Sequence, residues 1–286
     1  FINNGILLNE ASANINLSGD LKNNGKILFN NGSLFFTSPA MISGTLSVIK
    51  LKLTESLIVK DSLTVLEKIN GTGELVNKGI LQLGMTKSNF MIDSLSLSFP
   101  GNELHFIRNG QQEVPTISHK KAKKIIFSGG GIFILNNSLT CDTIEIKNNS
   151  SLEISKQSDI SSLFCMDNSK LISSNEFYWD NTNKMIFSKT STLYINNNQN
   201  IEKSIQVGNL NIAPSISLSL NSNDTLYIGK NFSGEGFVNG NPYFEYNGSS
   251  RQTIKQRGYN KLIFNNSSSD SSTFYGYNSI TDLKVK

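Results

Sequence analysis

Short runs of alternating apolar residues return along this chain at a nearly constant interval, and that interval limits the folds open to it. Ile6-x-Leu8, Ile27-x-Phe29, Leu46-x-Val48, Leu63-x-Val65 and Leu81-x-Leu83 step by 21, 19, 17 and 18 residues. Further on, Ile144-x-Ile146, Phe164-x-Met166, Met185-x-Phe187 and Ile205-x-Val207 step by 20, 21 and 20. A second track, Leu152-x-Ile154, Leu171, Leu193-x-Ile195 and Ile216-x-Leu218, steps by 19, 22 and 23. Alternation over three to five residues gives a strand with one buried face. A unit of about 20 residues cannot bury that face alone and must stack on its neighbours. The spacing predicts an all-β, parallel β-solenoid with coils of about 20 residues and two sheets per coil. The general preference of parallel crossovers makes it right-handed. At about 4.8 Å per coil, roughly 14 coils would give a rod on the order of 65 Å. A β-sandwich also uses many short strands, but it needs no superperiod. No stretch shows apolar residues at helical spacing between caps, so essentially no α-helix is expected.

Turn residues bound the runs at Asn4-Gly5, Asn24-Gly25, Asn31-Gly32 and Asn70-Gly71. Asn and Gly accept positive φ at little cost, which predicts sharp corners there. The chain holds 40 Ser and 38 Asn, a polarity that often marks disorder, but its 17 Phe and 8 Tyr supply a core. A net charge of +4, with 23 Lys, 3 Arg and 22 acids, makes no strong field. Only His119-Lys120-Lys121-Ala122-Lys123-Lys124 forms a basic cluster, read as a solvated turn, so no nucleic-acid partner is expected. No apolar run approaches the roughly 20 residues that cross a bilayer, so no membrane insertion is expected. Residue 1 is Phe and no signal peptide is visible, which reads as a mature piece of a longer chain.

One long segment occurs twice. Glu103–Phe127 (ELHFIRNGQQEVPTISHKKAKKIIF) returns as Pro242–Phe264 (PYFEYNGSSRQTIKQRGYNKLIF). Asn109-Gly110 recurs 138 residues on and Phe127 recurs 137 residues on. With the sequel LTCDTIEIK echoed by ITDLKVK, the repeat blocks cover 103–147 and 242–286, within a single solenoid segment spanning 1–286. These aromatic-rich blocks are expected to be coils that widen or carry an extra hairpin.

The chemistry on offer is thin. His105 and His119 are the two histidines, without HExxH spacing or a cysteine partner, and His105 aligns with Tyr243 as a strand position that takes a ring. Ser128-Gly129-Gly130-Gly131 lacks the Lys-Ser/Thr of a phosphate loop and reads as a tight corner. Acids are scattered, with no paired stretch for glycosidic chemistry. No catalytic residue, metal or cofactor is predicted. Cys141 and Cys165 fall about four residues apart in repeat phase, roughly 13 Å along a strand, so both are predicted free. Sugar stacking is the remaining option. Phe177-Tyr178-Trp179 places Tyr178 on the face opposite the other two rings, and Tyr243, Tyr246 and Tyr259 crowd the second block. With Phe177 and Trp179 in the core, the candidate carbohydrate-binding residues are Tyr178, Tyr243 and Tyr246.

The two blocks, with Gly, Gln and an apolar residue before a closing Leu/Ile-Ile-Phe, resemble repeats of large secreted surface proteins of Bacteroidota. Coils such as LKNNGKILFNNGSLFF at Leu21–Phe36 resemble the adhesin-like β-solenoids of the same group. Where that family has Gly after Gln-x-Ile, this chain has Pro115 and Lys255. The resemblance implies export by the type 9 secretion pathway, a place on the surface of a Gram-negative bacterium and, for some relatives, adhesion in gliding. It also implies O-glycosylation in Asp-Ser/Thr-apolar triplets, here at Ser62, Ser94, Thr143 and Thr225. The same triplets equally read as turns leading into strands. The expected role is a non-catalytic stalk or adhesive segment. Its expected partners are adjoining segments of the same chain, surface glycans or substrata, and the secretion machinery. A glycan-binding or polysaccharide-cleaving β-helix is the alternative.

Overall fold

The computed structural model describes residues 1–286 except 10–11, 30, 98–100, 118–121, 157, 176–178, 180–181, 183, 256, 270–271 and 275–278. It is an all-β, parallel β-solenoid with coils of about 19 residues and about 14 turns. Helix among the described residues is confined to short 3-10 turns such as Lys87–Asn89. The chain divides into two compact units, Phe1–Ile144 and Glu145–Lys286.

In the first unit three tracks of strands rise in register. One stacks Ala40, Leu57, Leu75 and Leu95. The next stacks Leu46, Leu63, Leu81, Leu104 and Ile125. A third stacks Leu34, Leu51, Ile69 and Phe90. The long strand Ala40–Leu53 serves all three by turning corners, with a register shift between Val48 and Lys50. From Leu46 through Leu63 to Leu81 the middle track matches the sequence periodicity residue for residue. Its Leu46, Leu63, Leu81 and Leu104 are buried, each stabilising the stack by roughly 1.5–3 kcal/mol through burial. The first step of that periodicity is corrected by one residue: Leu7, not Ile6, lies opposite Ile27, and Asn9 lies opposite Phe29. Ile6 and Leu8 point outward as a result.

The second unit also has three tracks where two were expected. Leu152, Leu171, Leu193, Leu210 and Phe232 form one. Ile205, Leu226, Phe244, Leu262 and Leu283 form another. Between them Gln199, Leu218 and Val238 define a track of three- and four-residue strands. Leu193 is therefore followed by Leu210 and not by Ile216. Near the start of the unit Leu163 and Cys165, not Phe164 and Met166, are the inward pair, opposite Met185 and Phe187. Phe164 faces outward, where the Lys184 ammonium lies 5.4 Å from its ring centroid. The strand pairings described in the aromatic blocks are parallel, so of the two expectations there, a widened coil or an extra hairpin, the hairpin is not seen among them.

The Asn-Gly corners work differently from expectation. Gly5, Gly25 and Gly32 are not at positive φ. A Cβ on Gly25 would lie 2.0 Å from the Gly5 carbonyl oxygen, so the glycine is needed for close coil-to-coil approach. Asn24, just before it, is exposed and donates through Nδ2 to Asn4 Oδ1 at 2.8 Å, whereas Asn23, one residue earlier, turns inward and continues the ladder with its amide. Asn3 Nδ2 donates to Asn23 Oδ1 at 2.8 Å, and Asn23 Nδ2 donates to the Thr45 carbonyl at 2.6 Å. Buried amides satisfied in this way stabilise a corner that apolar side chains would leave with orphan carbonyls. At Gly71 both reasons apply, since φ is +135° and a Cβ would meet the Leu53 carbonyl oxygen at 1.6 Å.

Candidate functional site

The two aromatic blocks mark places where strand tracks stop and restart. In the second unit the tracks carrying Phe232–Gly234 and Phe237–Asn239 have no further strand stacked on them among the described residues. The side chains of Gln252, Lys255 and Arg257 instead bond to carbonyls of Val238 and of residues flanking these strands. Gln252 Nε2 donates to the carbonyls of Ile228 at 2.9 Å and Lys230 at 3.0 Å, while its Oε1 accepts from Gly248 N–H at 3.1 Å. Lys255 Nζ donates to the Gly236 carbonyl at 2.9 Å, and Arg257 Nη2 donates to the Val238 carbonyl at 2.8 Å. Replacing a backbone ladder with long side chains leaves a gap between coils. That gap is a cleft of about 370 Å³, with Phe232, Glu235, Phe237, Lys255 and Arg257 in its wall.

The cations are fixed over aromatic rings. Lys255 Nζ lies 4.6 Å from the Phe232 centroid, and the Arg257 guanidinium lies 4.4 Å from that of Phe244 and 5.5 Å from that of Tyr259. Such contacts compensate in part for removing a cation from water. Burial still holds the Lys255 ammonium below its ordinary pKa, and the neighbouring Arg257 charge lowers it further, against a smaller upward pull from Glu235. Burial likewise lowers the pKa of Arg257. Beneath them Tyr259 Oη donates to the Lys255 carbonyl at 2.6 Å and lies 3.5 Å from Tyr246 Oη. Burial pushes both phenols above the usual tyrosine range.

The predicted sugar-stacking residues are not gathered into one surface. Tyr246 is 0% exposed, because alternation in Tyr243–Tyr246 turns it into the core, and its ring is removed as a stacking face. Tyr243 stays half-exposed, with Lys261 Nζ 4.7 Å from its ring centroid. Tyr178 and Phe177 lie outside the described residues. Trp179 is in the core, its Nε1 donating to Gln199 Oε1 at 2.8 Å. Cys141 and Cys165 are buried thiols that form no disulfide; burial pushes the Cys165 thiol up to about 12.

Ser62, Ser94, Thr143 and Thr225 are all half-buried, each just before a buried Leu63, Leu95, Ile144 or Leu226. Asp61 Oδ2 accepts the Gly44 N–H at 2.7 Å, which is a corner-forming role for the acid of its triplet. His105 lies on an outward row. Its Nε2 is 2.7 Å from Glu103 Oε2, and its Nδ1 is 3.4 Å from Gln82 Nε2, which in turn separates it from Thr64. An amide thus stands where a nucleophile would be needed. His119 lies outside the described residues, while Lys123 and Lys124 belong to strand Ala122–Phe127 and not to a turn. Among the described residues no group of three or more His, Cys, Asp or Glu is placed to hold a metal, and no helix is long and apolar enough to cross a membrane.

Comparison with protein-family models, curated proteins and solved structures finds no match.

Proposed function

We propose that this solenoid is a non-catalytic stalk or adhesive segment of an exported cell-surface protein, consistent with the resemblance of its blocks to Bacteroidota surface repeats. The observation that carries the reading is the registered apolar column, Leu46, Leu63, Leu81 and Leu104 in one unit and Ile205, Leu226, Phe244 and Leu262 in the other. Stacked parallel ladders transmit load along many backbone hydrogen bonds at once, and each coil is stable only on its neighbours. The rows facing outward are rich in Ser, Thr, Asn and Lys, a wet surface suited to display and to contact with glycans or substrata. Type 9 secretion and a role in gliding adhesion belong to the same proposal. Intact mass and peptide mapping of the protein from its native source test it. A much larger chain carrying sugars at Ser62, Ser94, Thr143 or Thr225 is the expected result. A bare chain of 31.5 kDa would overturn the reading.

A further inference from the structure

One acid on the outward face of the second unit is out of place. Glu245 stands in a row that runs Tyr227, Glu245, Ile263 and Lys284 from coil to coil, on the side of the sheet away from the apolar column. Carboxylates on such a row are ordinarily wet. Glu245 is only 8% exposed. A buried carboxylate is costly unless other groups satisfy it, and two groups on the coils above do so. Its Oε1 accepts from Asn265 Nδ2 at 2.9 Å, and its Oε2 lies 3.6 Å from Lys286 Nζ. Neither the ladder nor the core requires the trio, because all three side chains lie outside the apolar column.

Register fixes the two outer members. Phe264 pairs with Val285, and just beyond that pair Asn265 N–H donates to the Tyr246 carbonyl while Lys286 N–H donates to the Phe264 carbonyl, each at 2.9 Å. Asn265 and Lys286 are therefore neighbouring positions on successive coils, about 4.8 Å apart at the backbone. An amide carbon and a primary amine are held side by side with one carboxylate bridging them, the kind of positioning that makes a slow bimolecular exchange intramolecular. The first unit shows the contrast. Glu113 also meets a lysine, Lys87 at 2.8 Å, and the Asn136 side chain, but its side chain is 40% exposed against 10% for Glu245. Water solvates that ion pair, and nothing drives it further.

We propose that Asn265 and Lys286 become joined by an intramolecular isopeptide bond, with Glu245 carrying the protons. Oε2 takes a proton from the Lys286 ammonium, and the amine attacks Asn265 Cγ to form the Nζ–Cγ bond. Oε1 faces Nδ2, the nitrogen that must leave, and protonates it as the Cγ–Nδ2 bond breaks. In all, two protons pass from Nζ to Nδ2, the carboxylate ends as it began and the nitrogen departs as ammonium. One amide replaces another, so no oxidant or cofactor is consumed. Asn265 and Lys286 are themselves exposed, which gives the ammonium a way out. The product ties successive coils along the stacking direction, and it does not depend on the stalk reading.

Intact mass and tryptic mapping of the 286-residue chain test it. The expected mass is below the sequence mass by one ammonia, with Leu262–Lys284 and Val285–Lys286 recovered as one branched peptide that resists hydroxylamine. Glu245→Gln, which keeps the length and the hydrogen-bonding capacity but cannot shuttle protons, should restore the full mass with the circular dichroism of the parent. Lys286→Arg, at an exposed position, should restore it as well. A parent chain of full sequence mass after prolonged incubation at neutral pH would overturn the proposal. So would an ammonia loss that persists in Lys286→Arg or yields to hydroxylamine, the mark of an asparagine succinimide, or a branched peptide still formed by Glu245→Gln.

Discussion

Replacing Gln252 by Leu isolates the device that lets the second block interrupt the backbone ladder. Gln252 is fully buried, and its amide donates to the Ile228 and Lys230 carbonyls while accepting from Gly248 N–H and, at 2.7 Å, from Asn266 Nδ2. Ile228 keeps the Asn247 N–H as a partner, so its carbonyl survives the change. Gly248 N–H and the Lys230 carbonyl lose theirs. Each stranded polar group costs about 1–3 kcal/mol, and the buried Leu methyls offset part of that, leaving a destabilisation of about 3 kcal/mol. Urea denaturation followed by circular dichroism gives the difference, with an unchanged m-value showing that the same surface unfolds. Amide exchange at Gly248 locates it, because that proton should lose protection before its neighbours do. The reasoning would be refuted by a cost below about 1 kcal/mol together with unchanged protection at Gly248. Gln112→Leu in the first block is the internal comparison. Gln112 is buried, but its Oε1 has no hydrogen-bond donor within reach, so the same substitution should cost less there.

Gly71→Ala should destabilise the first unit by about 3 kcal/mol or more, since it combines positive φ with a backbone clash; a thermal melt within a degree of the parent would refute this. Cys141 and Cys165 should be silent to a thiol reagent in the native chain and react fully in denaturant. The Cys165 thiol has a folded pKa of about 12 against 9.0 when unfolded, so between those values the folded state holds more protons and stability falls as pH rises. Cys165→Val should flatten that alkaline loss, and an unchanged slope in chemical denaturation from pH 9 upward would contradict the assignment. The first unit presents Phe1, Ile2, Ile6 and Leu8 to solvent beside a wholly apolar recess. The isolated chain should therefore self-associate, and sedimentation as a clean monomer would count against it.

The parts of the fold that depend on apolar period were legible in the residues. Leu46, Leu63 and Leu81 alternate cleanly with polar neighbours, and period alone sets them one above another. Elsewhere alternation is ambiguous. Ile6, Leu7 and Leu8 form an unbroken apolar run, so either phase fits, and the inward Asn at position 9 decides for Leu7. The third track of the second unit is hidden because Gln199, its first inward residue, is polar, and it is buried with bonds to Trp179 and to the Asn175 carbonyl among its partners. The same blind spot covers Ser150 and Ser169, buried residues that hydrophobic patterns pass over. The cationic cleft left one trace, Lys255 in the place where a Gly follows Gln-x-Ile in the resembling repeats. Its pairing with Arg257 over Phe232 and Phe244 depends on which track ends beneath them, and no local spacing encodes that.

Parallel in-register stacking is the claim on which the rest depends, and methyl-to-methyl NOEs in an Ile/Leu/Val-labelled, otherwise deuterated chain test it most directly. Neighbouring parallel strands lie about 4.8 Å apart, well within NOE range for stacked side chains. The predicted pattern joins Leu46 to Leu63, Leu63 to Leu81 and Leu81 to Leu104 in one unit, and Leu193 to Leu210 and Leu226 to Leu262 only through Phe244 in the other. Contacts confined to strands adjacent in sequence, with none between Leu46 and Leu63 or between Leu63 and Leu81, would mean antiparallel pairing and contradict the solenoid.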